Sequence, residues 1–518
     1  MMTRQVAAEA DVVVVGGGGA GLSAALEVAR AGRQVVLLEK MPQLTGTTGR
    51  SVGSITATLT PLQAKTGVQD SPDEHFEDMA LFADLAQPEA ARSDNLDLRR
   101  VLVDNVPDTI RELMDLGVVF FGPMPEPPHR KPRMHNVLPH SRSYLFHLSR
   151  ACRKAGVDIR LNTRATHLVT EGRRVVGVDA EQASRALRFG ARRGVVMAAG
   201  DYSASREVKA RFIGEEMAGV EGINPNSKGE GQLLAMGVGA EVVMGQVMLG
   251  PEIRFVAPPR KKIVDLLPPV KPVAQLMKLS MSLLPGWLLR PFLMMFVTTN
   301  LAPAHKLFEE GAILVNKDGE RFVDERHEPQ LAIPKQPDRI AYILMDDVVG
   351  RRFHAWPNFI STAPGVAYAY LPDYRRNRKD IYASGRSVEE LAGKVGIPAD
   401  ALQNSIDDYN ATRPEGRPAI ERPPFHALGP AKSWIVLTDG GLKVTTQLEA
   451  LDKNGAVIPG LYAAGSNGQG GLLLEGHGHH LGWALTSGRL AGGYAARNAP
   501  VGAQDGAEPT PERVVAAG

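Results

Sequence analysis

Residues 11–31 read DVVVVGGGGAGLSAALEVARA, and the order of features within them decides the fold. Val12–Val15 is a β-branched run suited to a buried parallel strand. Gly16-x-Gly18-x-x-Gly21 follows at once, and Leu22, Ala25, Leu26 and Ala29 then recur at helical spacing. A second strand, Gln34–Leu38, ends in Glu39. The first glycine makes the tight turn, the second lets backbone approach a pyrophosphate, and the third lets the helix pack against the strand. The helix N-terminus then receives the phosphate charge, while Glu39 accepts a ribose hydroxyl. The stretch therefore predicts a dinucleotide site built from Gly16, Gly18, Ala20, Gly21 and Glu39, with Lys40 beside it.

The rest of the 518 residues narrows the class. With 43% hydrophobic and 22% charged residues and a net charge of +2, the chain is globular and has no dense basic stripe for a nucleic acid. One cysteine, Cys152, excludes an internal disulfide and a cysteine-ligated iron–sulfur cluster, and suits a reducing cytoplasm. The first apolar run is too short for a secretory signal core. No uninterrupted apolar stretch reaches the roughly eighteen residues a transmembrane helix needs, so a cytoplasmic location is expected. The tail beyond Asn498 is small, polar and Pro/Gly-bearing, as in disordered segments.

Three further segments extend the nucleotide reading. LTGTTGRSVGSITA (44–57) is a loop of small and hydroxyl residues, while VVMAAGD (195–201) and GLYAAG (460–465) are strands ending in glycine turns. With GEG (229–231) and GAILVNKDGERFVDE (311–325), the chain resembles the fumarate reductase/succinate dehydrogenase flavoprotein superfamily, which includes the 3-ketosteroid dehydrogenases. The resemblance implies an α/β fold, with a two-dinucleotide-binding (Rossmann-like) FAD domain and an inserted α+β substrate/cap domain. The expected boundaries are 1–245 and 437–518 for the FAD domain and 246–436 for the cap. It also implies that Thr47, Thr48, Gly49, Arg50, Ser51, Gly53, Ala165, Ala199, Gly200, Asp201, Gly465, Ser466, Asn467, His480 and Leu481 line the cofactor. The respiratory branch attaches FAD to a histidine of the early loop. Residues 44–57 contain none, so FAD is expected to be non-covalent.

The catalytic positions separate the branches. Where fumarate reductases carry a proton-donating arginine, this chain has Pro329; their remaining dicarboxylate ligands fall at Gly250-Pro251, Leu437 and Glu475. Fumarate and succinate are therefore not the expected substrates. GTTGRSVG (46–53) and GHGHHLGWA (476–484) instead match the steroid-dehydrogenase pattern, which implies that the Gly478 N–H holds a ketone oxygen. That branch's proton-abstracting tyrosine also falls at Pro329, so the base must come from elsewhere. Tyr144, beside Arg142 and His140, and Tyr368 and Tyr370 are the candidates, since a neighbouring cation lowers a phenol pKa. Arg142 and Arg50 are alternatively carboxylate ligands.

His477-x-His479-His480 has the short spacing of a metal cluster. The interleaved glycines and the helix that follows assign the three rings to the flavin or substrate pocket, and no metal is expected. Between Pro251 and Gly311 lies an apolar insert near 258–299, roughly forty residues beyond a compact family member. It opens with Arg260, Lys261 and Lys262 and carries Met277, Met281, Met294 and Met295. A hydrophobic channel, a peripheral membrane contact and simple cap packing all fit it.

The function expected is an FAD-dependent dehydrogenase that desaturates the α,β bond of an apolar cyclic ketone, a 3-ketosteroid or cyclohexanone type. The α-proton goes to a base and the β-hydride to flavin N5, with an external acceptor or oxygen taking the electrons. The alternatives are an ene-reductase of a non-dicarboxylate activated alkene and a membrane-associated electron-transfer subunit.

Overall fold

A computed structural model describes residues 5–259, 266–285, 288, 290, 294–295, 297–299, 301–363 and 367–501. The expected disordered tail, apart from residues up to 501, and the basic residues Arg260, Lys261 and Lys262 lie outside the described residues.

The strand Gln5–Val15 is the centre of an eight-stranded sheet. Val12–Val15 pair in parallel with Val35–Leu38 on one side, and Val12–Val15 pair with Gly194–Met197 on the other. All four valines are buried on both faces, which is why the run is continuous rather than alternating. Asp158–Arg160 extends one edge, while Val457–Ala463 and Glu449–Leu451 extend the other. The last helix, His479–Arg497, lies along the first helix, Gly19–Arg30. Two glycines permit this: a Cβ on Gly488 would sit 2.2 Å from Ala20 O, and one on Gly492 2.3 Å from Ala24 O. The end of the chain is thereby held against the glycine turn at its beginning.

The cap is a six-stranded sheet around Phe425–Ile435, flanked by Ala341–Met345, Ile313–Val315, Glu252–Phe255 and Tyr382–Gly385. Glu221–Gly222 also joins this sheet, pairing with Trp434 and Ile435, before the chain returns to the FAD unit at Glu230–Met236. Two short ribbons, Val242–Val243 with Gly441–Leu442 and Met248–Leu249 with Leu437–Thr438, tie the two units together. Local sequence cannot show such a strand, because a two-residue edge strand is fixed by its partner rather than by periodicity.

The insert is not a single cap element. Met294 and Val297 are buried in the cap core. The helix Lys271–Leu283 instead packs on the strands Val119–Met124 and Met134–Leu138 of the FAD unit. Lys278 Nζ donates to Phe120 O at 2.7 Å. Met277, Met281 and Met295 are half-buried while Met294 is wholly in the cap, so the four methionines do not share one environment. Among the described residues, no helix is long and apolar enough to cross a membrane.

Candidate active site

The nucleotide end is a cradle of backbone. Gly16 has φ +111°, and a Cβ there would meet Ala198 O at 2.3 Å; one on Gly21 would lie 1.8 Å from Gly16 O. At Gly18, the helix N-cap, an added Cβ meets nothing within 4 Å. That open face beside a helix N-terminus is where a pyrophosphate fits. The Glu39 carboxylate accepts from Gly17 N (2.7 Å) and Met41 N (2.8 Å), so it is fixed at the rim of a narrow cavity. Gly16, Glu39, Lys40, Ala165 and Ala199 line that cavity with Glu230, which is ion-paired to Lys40.

The early loop follows. Thr48 Oγ1 accepts from Gly19 N at 3.1 Å, joining the loop to the first helix, while Asn224 Nδ2 donates to Thr47 Oγ1 at 3.0 Å and Ser51 Oγ to Thr48 O at 2.9 Å. Gly46 and Gly53 take the left-handed region, at φ +81° and +89°. Asn467 Oδ1 accepts from Ala199 N, and Ser487 Oγ from Gly465 N, both at 2.9 Å. Gly200 O takes a bond from Gln232 Nε2, Ser466 sits in the turn Gly465–Gly468, and Leu481 packs on the FAD-unit core. Arg50 is exposed. Asp201 departs from expectation: it is buried, and its carboxylate accepts from Ser203 Oγ and Thr438 N, both at 3.2 Å. Burial raises its pKa. This aspartate braces the domain junction rather than facing the cofactor.

The three late histidines point in three directions. His477 donates through its backbone N (2.8 Å) and its Nδ1 to the same oxygen of the buried Glu126, and that pairing raises its pKa. His479 is fully buried; its Nδ1 lies 2.5 Å from Glu475 O and its Nε2 3.0 Å from His75 Nε2. His480 Nε2 lies 2.9 Å from Asp439 Oδ1, which also accepts from Gln469 Nε2 at 2.7 Å.

Between them stands Gly478, the N-cap of the last helix, at φ +97°. Thr56 Oγ1 donates to His477 O at 2.6 Å, clamping the loop onto the strand Ser54–Thr56. Among the described residues no protein acceptor meets the Gly478 N–H. Glu475 is buried with Oε1 unpartnered, and burial first, then Asp439, raises its pKa.

His75, His129 and His479 bring ring nitrogens within 4.8 Å of one another, a grouping with the look of a ligand set. Their hydrogen bonds fix where two of the rings carry their protons. Glu475 O can only accept, so His479 is protonated on Nδ1 and its Nε2 accepts from His75 Nε2–H. Arg133 Nη1 can only donate, so it occupies the lone pair of His129 Nδ1 at 3.0 Å and leaves the proton on Nε2. Burial lowers all three pKa values: His129 to about 2, His479 to about 4, and His75 well below its ordinary value. The trio is a buried cluster with His75 stacked on His479 and His129 edge-on to both, and His479 links it to the GHGHH loop.

Among the tyrosine candidates, Tyr144 needs correction. Tyr144 is fully buried, its hydroxyl donates to Gly53 O at 2.7 Å, and burial holds its pKa well above the ordinary value. The expected lowering by Arg142 fails because Arg142 is exposed, near His140 Nε2 (3.4 Å), whereas the phenol faces the core. Tyr144 is a brace for the early loop. Tyr368 packs its ring on Trp356 (5.1 Å) and Phe359 (5.2 Å), with Trp356 on the surface. Tyr370 caps the helix Leu371–Asn377 and lies under the Arg290 guanidinium. Asp439, Glu475 and Glu126 were missed, since an acid declares itself only through its neighbours. Glu475, directly before GHGHH, had the one sequence signal available.

A two-piece dinucleotide fold with this cradle and an inserted second sheet is the architecture of an FAD-binding flavoprotein. The chain belongs to the FAD binding domain family, whose pattern matches residues 11–263 and 288–472. It is 27% identical over 532 aligned positions to the NADH:acrylate oxidoreductase of Vibrio harveyi, covering 88% of this chain and 47% of that protein. The chain thus spans about half the length of the first curated relatives it matches. In fold it is similar to the open conformation of a flavocytochrome c3 fumarate reductase (TM-score 0.70, 24% identity, 95% of this chain and 79% of that one). It is also similar to the 3-ketosteroid-Δ4-(5α)-dehydrogenase of Rhodococcus jostii RHA1 (TM-score 0.58, 25% identity, 96% and 99%).

Proposed function

We propose that the protein desaturates the bond α,β to the carbonyl of an apolar cyclic ketone, of steroid or cyclohexanone type. The observation that carries this reading is the Gly478 N–H, which meets no protein acceptor among the described residues, two residues from the His480–Asp439 pair at the start of one helix. FAD, when bound, supplies the hydride acceptor or donor for the β-carbon. The chain supplies the polar half. The Gly478 N–H and the helix N-terminus stabilise negative charge developing on the ketone oxygen. His480 holds its Nε2 proton on Asp439, which leaves Nδ1 as the lone pair that takes the α-proton, and the Asp439 carboxylate then balances the imidazolium. Pro329, Leu437 and Gly250-Pro251 bring no cation for a second carboxylate, so a mono-carbonyl substrate is favoured. The site-residue assignments to FAD follow the same reading.

The likeness to an acrylate oxidoreductase favours a second reading, reduction of an activated alkene, with protonated His480 delivering the proton to the α-carbon. Anaerobic mixing of the FAD-loaded enzyme with a panel of steroid and cyclohexanone ketones tests both. Bleaching of the flavin band at about 450 nm with enone formed supports desaturation. No bleaching, but reoxidation of the dithionite-reduced enzyme by an enone or acrylate, replaces it with the reductase. Failure of both overturns the site assignment.

A further inference from the structure

The match to the FAD binding domain family breaks at residues 264–287, and the helix Lys271–Leu283 lies within that break. Its inner face is accounted for by buried Ala274 and by Lys278 on Phe120 O. Its outer face is a row of leucines at i, i+3 and i+7: Leu276, Leu279 and Leu283 are 66%, 53% and 72% exposed. Leu266, Leu284 and Leu288 extend the patch at both ends. Scattered exposed leucines need no explanation, but a contiguous row on one helix does.

Residues 266–290 contain Lys271, Lys278 and Arg290 and no acid; Lys278 is turned inward onto Phe120 O and Arg290 is paired with Asp373, which leaves Lys271 as the cation at the edge of the row. Lys65, an exposed side chain, lies close enough to Lys278 to depress its pKa, after burial, and Lys271 and Arg150 act likewise on His147. An apolar row edged by cations is the pattern of a helix lying in the headgroup layer of an anionic bilayer. It also adjoins the substrate side: Leu267 O accepts from His140 Nε2 at 3.0 Å, and Arg142, beside that ring, lies against Gly49 of the early loop.

We propose that the leucine face of Lys271–Leu283 docks the protein on an anionic lipid surface. The surface holds the early loop close to the bilayer, so that an apolar substrate need not cross bulk water. This rests on the proposed function only in taking the substrate to be apolar.

The test is co-sedimentation of the full FAD-loaded chain with vesicles of phosphatidylcholine alone or mixed with phosphatidylglycerol. The wild type should sediment with the mixed vesicles and much less with the neutral ones, and salt should weaken it. Combining Leu276→Ser, Leu279→Ser and Leu283→Ser should cut the bound fraction about tenfold with FAD content unchanged. Lys65→Glu with Lys271→Glu should cut binding to the mixed vesicles by roughly fivefold or more per site and leave the neutral ones unaffected. Three results overturn the proposal: no sedimentation of the wild type with either vesicle, equal binding by the triple-serine variant, or a dimer in light scattering that the triple-serine variant converts to monomer. The last would make a second copy the occupant.

Discussion

Gly478→Ala should separate the substrate loop from the scaffold that carries it. Alanine at φ +97° costs about 1 kcal/mol in backbone strain. The new Cβ would also stand 2.6 Å from Thr56 N and 2.8 Å from Ile55 C, both backbone atoms of a strand that cannot rotate away. Overpacking of that kind costs about 1–3 kcal/mol, so the variant should lose roughly 2–4 kcal/mol or move the loop outward. Either way the N–H leaves its place, and losing one such donor costs about 10²–10³ in kcat. Gly476→Ala is the control. Its φ of +86° carries the same backbone penalty, but its Cβ would meet the side chain of Phe82 at 2.8 Å, and a ring can shift. It should lose stability while keeping kcat within about threefold. Denaturant unfolding and anaerobic flavin bleaching measure the two quantities. If Gly478→Ala bleaches at the wild-type rate, or both variants lose kcat equally, the N–H has no special role.

Other consequences are as direct. Tyr144→Phe should keep its rate and lose about 1–3 kcal/mol, because the Gly53 carbonyl loses its buried donor; a hundredfold slower variant would return Tyr144 to the chemistry. Glu39→Ala removes the acceptor shared by Gly17 N and Met41 N and should weaken FAD binding about ten- to hundredfold by fluorescence titration of the apoprotein, an unchanged Kd counting against the cradle. His477 has a raised pKa because Glu126 binds it, so its stabilisation is full below about pH 6.5 and fades as pH rises through the folded value. The side chain is 49% exposed, so screening keeps the effect small. Glu126→Gln should flatten that part of the pH–melting profile, and an unaltered slope would break the assignment. Asp439→Asn should slow proton transfer about 10²–10⁴-fold and shift the pH–rate profile, with KM little changed; an unshifted profile would exclude the His480–Asp439 pair.

The sequence alone determined the nucleotide end, because strand, glycine turn, helix and acid lie contiguously in residues 11–39, and each is specified by local periodicity and by what a Cβ would strike. It also located the loop at 44–57 and the strand-to-turn segments at 195–201 and 460–465, whose small residues are local signals of close backbone approach. Tertiary structure decided the rest. Three adjacent histidines became an ion pair, a buried neutral stack and an acid–base pair because their partners sit 351, 404 and 41 positions away. Tyr144 was a plausible base beside Arg142 and His140 until folding turned its hydroxyl to Gly53 and Arg142 to the surface. The apolar insert read as channel, membrane surface or cap packing, and only the fold seats its helix on the FAD unit with a row of leucines outward. A backbone turn is written in the residues that make it, whereas the chemistry of an imidazole, a phenol or a carboxyl is set by what the fold brings against it.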